Sequence, residues 1–405
     1  MNYELEIKKL NNLSPFVNFY SGDFSSTINK VVKEFVPFGK VAFITLEKTH
    51  LLYSKQVLSA LLGVGSKLIS LVMANPPKKT VGDFSKAFNL PEDVRAVITF
   101  DRELSAYCTY FCSVRNIPFI YVPQSCFVAE SLENRLLIKN GNILDVVKCP
   151  TVKHVIVDFD LIEKTDEKSY CYAELMSKNV SIIDYKLSLA LTGKEISKQA
   201  LLLLKESIER AFKIFSKKPT ERDKELLVCG FMSEMAEVLC GGEISLTSAT
   251  RILGEFLAEK PKDYLGVKLF YMTKLLGLYS AVFGLKNPMQ TLPNLPLRAE
   301  QVSSKTGLDL GYVAGQMMEQ CKLLNKRLKK AIKTANSMSK TVDANLSLAS
   351  GMQSTFIALL GNDKVFTSSC DNIKNNIKIA GDLPHVINGL TYLRLMGVTD
   401  LEIFD

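Results

Sequence analysis

Residues 40–74 read KVAFITLEKTHLLYSKQVLSALLGVGSKLISLVMA, and this stretch decides the fold. Two apolar, β-rich runs, 40–46 and 67–74, flank the amphipathic helical pattern HLLYSKQVLSALLG. The segment GVGS at 63–66 lies between a helix and a strand, so we interpret it as a helix terminus and not as a phosphate loop. Near-continuous apolar strands that alternate with helices predict a parallel sheet covered on both faces.

The same pattern continues with β-rich runs at 95–100, 119–125 and 154–162. From residue 166 onward the spacing is helical, in segments at 169–193, 197–218, 220–242, 245–259, 262–284, 308–338, 343–360 and 383–396, with a Pro-rich break at 287–296. We predict an α/β N-terminal domain over residues 1–165, an all-α C-terminal domain over 166–405, and a cleft between them. Ligands of such sheets bind beyond the carboxyl ends of the strands.

Local signals predict where several helices begin and end. Gly193 is expected to cap the helix that it follows. Thr220 and Asp101 are expected to be N-caps, since short polar side chains accept from the free N–H groups of a first helical turn.

Composition limits the possible partners. The 50 Lys and Arg residues exceed the 42 acidic residues by eight, which favours anionic ligands but falls short of a nucleic-acid signature. We expect no membrane span, no signal peptide and no nucleic-acid partner. Nine dispersed cysteines without a CxxC motif indicate reduced thiols and a cytoplasmic protein. We interpret the basic stretch 322–340 as a solvated helix face, with contact to RNA or an acidic membrane face as the alternative.

Five stretches, in chain order, carry a family resemblance: RNIPFIYVPQSCF (115–127), CPTVKHVIVDFDLIEK (149–164), YAELMSKNVSIIDYKLSLALTG (172–193), SLTSATRILGEFLAE (245–259) and DYLGVKLFYM (263–272). Together they resemble the family of dehydroquinate synthase, glycerol-1-phosphate dehydrogenase and iron-containing alcohol dehydrogenase, closest to glycerol-1-phosphate dehydrogenase. The likeness spans roughly residues 35–340. It implies a Rossmann-like N-terminal sheet, NAD(P), and one Zn or Fe ion.

The metal site that the resemblance implies needs an acid and two histidines. Glu174 stands at the position of the acid. Arg251 and Ile252 stand where an acid and the first histidine belong, and Leu265 replaces the second histidine. The chain has three histidines, none between residues 155 and 384, and we interpret each as a surface or core residue. Cys229 and Cys240 are poor candidates to replace them. We therefore expect no bound metal.

The nucleotide site that the resemblance implies needs a glycine-rich turn after a strand. The run 95–100 instead leads into Asp101, whose carboxylate repels a phosphate, and no glycine follows. Cofactor-binding candidates at cleft positions are therefore limited to Asp101, Gln124 and Ser125. Glu130 and Glu133 follow in what we interpret as a solvated helix start, with a position facing the cleft as the alternative.

Three functional hypotheses follow. The first is a divergent family member without metal, nucleotide or catalysis, acting as a binding or regulatory protein on a small anionic ligand in the cleft, a protein partner or a second copy. The alternative is an NAD(P)-dependent oxidoreductase with Zn or Fe, acting on a polyol phosphate or alcohol through Glu174, Asp184 and Lys186. Arg251 would then suit the phosphate. In the third, the helical half is a platform for a partner protein, and an ion pair between Glu174 and Arg251 replaces the metal.

Overall fold

The computed structural model describes residues 2–35, 39–77, 80, 90–140, 143–162, 167–214, 217–251, 261–285, 299–300, 303–304, 307–360, 389–398 and 402. The chain divides into two compact units. The first unit combines Met1–Cys171 with Leu202–Gly242, and the second combines Tyr172–Leu201 with Glu243–Asp405. The boundary after residue 165 and the cleft stay predictions.

A six-stranded sheet forms the centre of the first unit. The elements are α1 (Tyr3–Leu10), β1 (Val17–Ser21), α2 (Phe24–Phe35), β2 (Lys40–Leu46), α3 (Glu47–Leu62), β3 (Lys67–Met73), β4 (Val94–Thr99), α4 (Ser105–Arg115), β5 (Phe119–Tyr121), β6 (Arg135–Asn140), β7 (Ile143–Lys148) and β8 (Lys153–Val157). The strand order is β1-β8-β5-β4-β2-β3, and all neighbours are parallel. The predicted parallel sheet is confirmed, and all five predicted β-rich runs contain one of its strands.

The stretch at 40–74 folds as its pattern predicts. Val41 and Phe43 of β2 are fully buried and pack in one core with Val57 and Leu61 of α3. Each such side chain contributes roughly 1.5–3 kcal/mol by leaving water. Helix α3 ends at Leu62, and the residues after it form a turn with Gly65 at φ 73°. The interpretation of GVGS as a helix terminus is confirmed.

The strands predicted from the sequence omit two features of the first unit, strand β1 and the hairpin of β6 and β7. Strand β1 has only two fully buried positions, and it is defined by pairing with β8, far along the chain. Strands β6 and β7 form a separate antiparallel hairpin. The Asn-Gly pair at 140–141 between two apolar runs is the signal that predicts such a hairpin.

The segment between β5 and β6 is an ordered loop, so the predicted solvated helix start at Glu130 and Glu133 is wrong. Glu130 has φ 67° and Glu133 is buried. The buried Lys153 ammonium donates to the carbonyl oxygens of Ser131 and Glu133, at 3.3 and 2.7 Å. These bonds hold the loop against β8, which prevents the segment from continuing as a helix.

The helices that follow are α5 (Glu167–Thr192), α6 (Lys198–Phe212), α7 (Pro219–Leu239), α8 (Glu243–Thr247), α9 (Pro261–Val282), α10 (Leu310–Leu360) and α11 (Gly389–Leu395). The N–H of Gly193 donates to Leu189, which confirms the predicted cap of α5. Thr220 is not an N-cap. Lys218 is the N-cap of α7, because Pro219 suits the first helical position, where no N–H is needed. The Pro-rich break at 287–296 and residues 252–259 and 383–388 of the predicted helices lie outside the described residues.

Helix α10 is a single helix of 51 residues, so the predicted break between 338 and 343 is wrong. Its buried residues continue through the break at alternating spacings of four and three: Leu324, Leu328, Ala331, Ala335, Met338 and Val342. The hydroxyls of Ser337 and Ser339 donate to carbonyl oxygens one turn earlier, so the polar residues there do not interrupt the helix.

Replacing Gly193 with alanine is expected to destabilise the second unit. Gly193 has φ 79°, and a Cβ there would overlap the guanidinium of Arg327. We expect a loss of about 1–2 kcal/mol in the free energy of unfolding, measured by urea titration. Gly315 in α10 is the matched control, since it has open space around it and no positive φ. Gly315→Ala should gain about 0.5–1 kcal/mol. Equal effects of the two variants would contradict this account.

Candidate functional site

The carboxyl ends of the parallel strands meet at one edge of the sheet. From β2 the chain moves outward to β3, whereas from β4 it moves in the opposite direction to β5 and then β8. The point between β2 and β4 is therefore the topological switch point, where open α/β sheets bind their ligands. Asp101 follows β4 at this point, and Gln124 and Ser125 follow β5.

Asp101 fills the switch point with its own side chain. Its carboxylate accepts hydrogen bonds from the Leu46 N–H and the Thr45 hydroxyl, both at 2.9 Å, and from the Thr49 hydroxyl at 2.5 Å. Asp101 is 6% exposed. It stands at the N-cap position of a 3-10 turn, as predicted, but its side chain accepts no hydrogen bond from that turn, so the predicted side-chain capping is wrong. The carboxylate serves the start of α3 instead, because the donors lie across the switch point.

The Leu46 N–H and the Thr49 hydroxyl at the start of α3 are thus engaged by an internal carboxylate. Burial raises the pKa of the Asp101 carboxyl, while hydrogen bonds from Thr49, Leu46 and Thr45 lower it. A phosphate bound through these donors would have to displace Asp101, and the buried carboxylate would then lose the hydrogen bonds that stabilise it. The segment after β4 also lacks a glycine that would let the backbone approach. The residues at this position do not fit the nucleotide that the resemblance implies.

A second carboxylate occupies the start of α2. Asp158, just after β8, accepts from the N–H of Phe24 at 2.9 Å. Asp23 accepts from the N–H of Ser26 at 2.8 Å in the same turn. Helix N-termini attract anions through their free N–H groups and their dipole. At α2 and α3 that attraction is satisfied by the protein's own acids.

Gln124 and Ser125 are half-buried beyond β5. The Ser125 hydroxyl accepts from the Phe127 N–H at 3.2 Å. The side-chain nitrogen of Gln124 is a buried donor for which the described part of the chain provides no acceptor. Arg102 lies nearby, with its guanidinium 4.3 Å from the centre of the Phe127 ring. A cofactor-binding role for Asp101, Gln124 and Ser125 stays a prediction.

Glu174 forms a buried ion-pair cluster in the second unit. Its carboxylate lies 2.5 Å from the Lys268 ammonium on α9 and 3.6 Å from the Lys178 ammonium one turn later on α5. All three side chains are buried. Burial lowers the pKa of Lys268, the Glu174 carboxylate raises it, and the positive charges of Lys178 and Arg251 lower it further. Buried charges persist only when paired, so these residues stabilise one another.

The metal that the resemblance implies does not fit these residues. A divalent ion at Glu174 would lie against the Lys268 ammonium, which already neutralises the carboxylate. Within the described ranges, no three His, Cys, Asp or Glu side chains lie close enough together to hold a metal ion. Leu265 lies on α9 about one turn before Lys268, and Ile252 lies outside the described residues. The predicted ion pair between Glu174 and Arg251 stays a prediction.

The described histidines agree with their interpretation as surface or core residues, and the described cysteines agree with their interpretation as reduced thiols. His154 is fully buried, bonds the Tyr20 hydroxyl at 3.3 Å, and has its pKa lowered to about 4 by burial. His50 stacks on Phe43, and His385 lies outside the described residues. The seven cysteines whose side chains are described, Cys229 and Cys240 among them, are free thiols.

Asp184 anchors the packing of the second unit. Its carboxylate accepts from the Tyr279 hydroxyl at 2.5 Å and from the Ala249 N–H at 2.6 Å, and the Gly389 N–H donates to it as well. A Cβ at Gly389 would overlap both the carboxylate and the hydroxyl. Asp184 thus ties α5 to α9, to Ala249 and to the start of α11. Asp184 is fully buried. The oxidoreductase alternative predicted that it lines the cleft, and that role stays a prediction.

Sequence reasoning missed Lys178 and Lys268. Lys178 follows Glu174 by four residues on one helix, a spacing that predicts an ion pair. Lys268 lies 94 residues from Glu174. Only the packing of α9 on α5 brings the two together, and no local pattern indicates it.

No protein-family model and no curated protein matches the chain. Solved structures do match. Glycerol dehydrogenase from Schizosaccharomyces pombe has TM-score 0.53 and 12% identity, over 86% of this chain and 92% of its own. NADH-dependent butanol dehydrogenase A from Thermotoga maritima has TM-score 0.53 and 12% identity, over 95% of this chain and 97% of its own. The iron-containing alcohol dehydrogenase from Thermococcus thioreducens has TM-score 0.51 and 11% identity, over 95% and 99%.

The chain has the fold of the iron-containing alcohol dehydrogenases. The resemblance seen in the sequence is confirmed at the level of the fold, and the closer likeness to glycerol-1-phosphate dehydrogenase stays a prediction. No helix within the described ranges is both long and apolar enough to cross a bilayer. At identities this low, the iron-containing alcohol dehydrogenase fold does not by itself carry an activity.

The Glu174–Lys268 pair is expected to behave as a buried ion pair. Lys268→Met should lower the free energy of unfolding by about 3–5 kcal/mol, since it leaves a buried carboxylate with less compensation. Adding Glu174→Gln should recover part of that loss, which a double-mutant cycle measures. Lys194 pairs with Glu243 at 2.9 Å on the surface and is the matched control, so Lys194→Met should cost less than about 1 kcal/mol. Strictly additive effects of the two core substitutions would contradict the pairing.

Stability should depend on pH through Asp184, whose pKa is raised to about 7 by burial, against the hydrogen bonds from Tyr279, Ala249 and Gly389. Between about pH 4 and 7 the folded chain then keeps a proton that the unfolded chain has lost. The unfolding free energy of the wild type should therefore fall as pH rises through this window, by up to about 1.4 kcal/mol per pH unit. The difference between wild type and Asp184→Asn isolates the effect. The control variant Glu319→Gln, at an exposed position, keeps Asp184 and should show the same slope as wild type. Parallel pH profiles of wild type and Asp184→Asn would refute it.

Proposed function

We propose that the chain is a binding or regulatory protein built on the iron-containing alcohol dehydrogenase fold, without the metal-dependent catalysis implied by its resemblance to that family. The observation that carries the proposal is the Lys268 ammonium 2.5 Å from Glu174. Glu174 is the one position where the resemblance retains a metal-binding acid. An internal cation there pairs with the carboxylate, whereas a catalytic metal needs several protein ligands and an open position.

The nucleotide side supports the same proposal independently. Asp101 engages the donors at the start of α3 and Asp158 those at the start of α2. Both contacts lie within the first unit, remote in sequence from Glu174. Lys268 thus stands in for the implied metal, and Asp101 stands in for the implied pyrophosphate. Both replacements favour a scaffold that is stable without either ligand.

Such a scaffold acts through what it binds. We propose a small anionic ligand, a protein partner or a second copy as the occupant, in line with the excess of basic residues.

One observation keeps the oxidoreductase alternative open. Three cations of the second unit are buried: Lys178, Lys268 and Arg251. The positive charges of Lys178 and Arg251 lie close enough to Lys268 to lower its pKa. Such cations suit a phosphorylated substrate. In that alternative NAD(P) would support hydride transfer with a rearranged site in place of the histidines.

Metal content and nicotinamide affinity of the purified protein test the proposal. We expect no stoichiometric Zn or Fe by elemental analysis, and no saturable binding of NADH or NADPH at micromolar concentration by fluorescence titration. The NADH-dependent butanol dehydrogenase of Thermotoga maritima, purified in parallel, is the positive control for the cofactor assay.

Stoichiometric metal that survives dialysis against a chelator, or micromolar cofactor binding, would overturn the proposal and favour the oxidoreductase. Asp101→Ala separates the two nucleotide outcomes. If cofactor binds the wild type through the start of α3, this variant should change the affinity. If the carboxylate only fills that place, the variant should lose stability alone.

A further inference from the structure

Helix α10 presents a row of lysines on the face opposite its buried stripe. The row consists of Lys322, Lys326, Lys329, Lys330, Lys333 and Lys340, and all six are exposed. At 100° per residue they project within a sector roughly 100° wide, centred opposite the line of Leu324, Leu328, Ala331 and Ala335. This agrees with the prediction of a solvated helix face. We refer to the six residues as the basic ridge.

The basic ridge is continuous and carries one sign of charge. Successive lysines along it are four, three, four and seven residues apart, with Lys330 beside the line. Lys322 and Lys340 are 18 residues apart, which corresponds to about 27 Å along the helix axis. No acidic residue occurs between Glu319 and Asp343. Throughout the described part of the chain, none of the six lysines lies within ion-pair distance of a carboxylate.

A row of like charges without partners is unfavourable for the isolated chain, because neighbours one turn apart repel each other. The repulsion is relieved when the row meets a surface of opposite charge. Since the ammonium groups lie on one side of a long uninterrupted helix, they reach a flat surface together. We propose that the basic ridge docks the protein on the surface of a bilayer that contains anionic lipids.

The composition of the ridge favours a bilayer over a nucleic acid. Base recognition uses arginine forks and aromatic stacking, but the ridge has no aromatic side chain. The one arginine of this stretch, Arg327, lies against Gly193 at the end of α5. Lysine ammonium groups are compact point charges that suit lipid phosphates and carboxylates.

Exposed apolar residues flank the ridge at both ends. Tyr312 and Met318 precede it and Leu348 follows it, with 57, 54 and 42% of their surface exposed. Helices that lie in the membrane interface combine a cationic face with apolar side chains that enter the headgroup region. The three residues project toward the flanks of the ridge face, so a bilayer in contact with the lysines lies within their reach.

Vesicle co-sedimentation of the full chain tests the proposal. We expect binding to vesicles of phosphatidylcholine with phosphatidylserine, little binding to phosphatidylcholine alone, and weakening as salt is added. Each lysine near an anionic surface contributes roughly five-fold to the partition coefficient. Replacing Lys322, Lys326, Lys329 and Lys333 with Glu should therefore reduce it by at least about 100-fold.

The matched control reverses the same number of charges elsewhere. Lys48, Lys55, Lys198 and Lys205 are exposed on α3 and α6, and replacing them with Glu changes the net charge equally. Binding of the control variant should stay within a few-fold of wild type. Circular dichroism and thermal midpoints establish that both variants fold.

Three results would overturn the proposal. One is absence of binding to the anionic vesicles, and another is an equal loss in both four-lysine variants, which would assign binding to net charge. The third is tighter binding to single-stranded RNA than to vesicles, with the same dependence on the ridge, which would assign the surface to a nucleic acid. None of these results bears on metal or cofactor content. The vesicle experiment therefore tests the docking proposal independently of the proposed function.

Discussion

Burial of charged side chains is the constraint on which the packing of both units depends. Glu174, Lys268 and Asp184 lie inside the helical second unit, and Asp101 lies inside the switch point of the sheet. An isolated buried charge is far too costly to keep, so each must find a partner. Glu174 finds ammonium groups, whereas Asp184 and Asp101 find N–H and hydroxyl donors. Through these contacts, elements distant in sequence are fixed relative to one another within each unit.

In the proposed function, the same contacts take over the structural role of the ligands that the resemblance implies. A metal bound between helices ties them together, and a pyrophosphate satisfies the N–H groups of a helix start. In this chain, Lys268 with Glu174 joins α9 to α5, and Asp101 satisfies the start of α3. In the proposed function, these side chains supply the structural part of each ligand's role and leave out the chemical part. The proposed binding function rests on that distinction.

In α10 the same spacing of three and four residues governs both an apolar face and a lysine face. Its apolar residues recur at three and four and are buried, which keeps 51 residues in one helix. The lysines recur at the same spacing on the opposite side and remain in water. A long amphipathic helix therefore stabilises the second unit on one side and offers a charged surface on the other, and neither role depends on the buried ion pairs.

The sequence by itself determined the alternation of strands and helices, since the apolar periods at 40–74 and in α10 follow from local side-chain geometry. It also identified Glu174 at the position of the implied metal-binding acid. It showed that the histidines of the implied metal site and the glycines of the implied nucleotide turn are missing. It did not find β1, the contacts of Asp101, or Lys268. Those depend on partners dozens of residues away, and the energy of a buried charge is set by whatever the tertiary packing brings within hydrogen-bonding distance. Only the folded chain therefore decided that Glu174 faces an ammonium group and that Asp101 occupies the switch point.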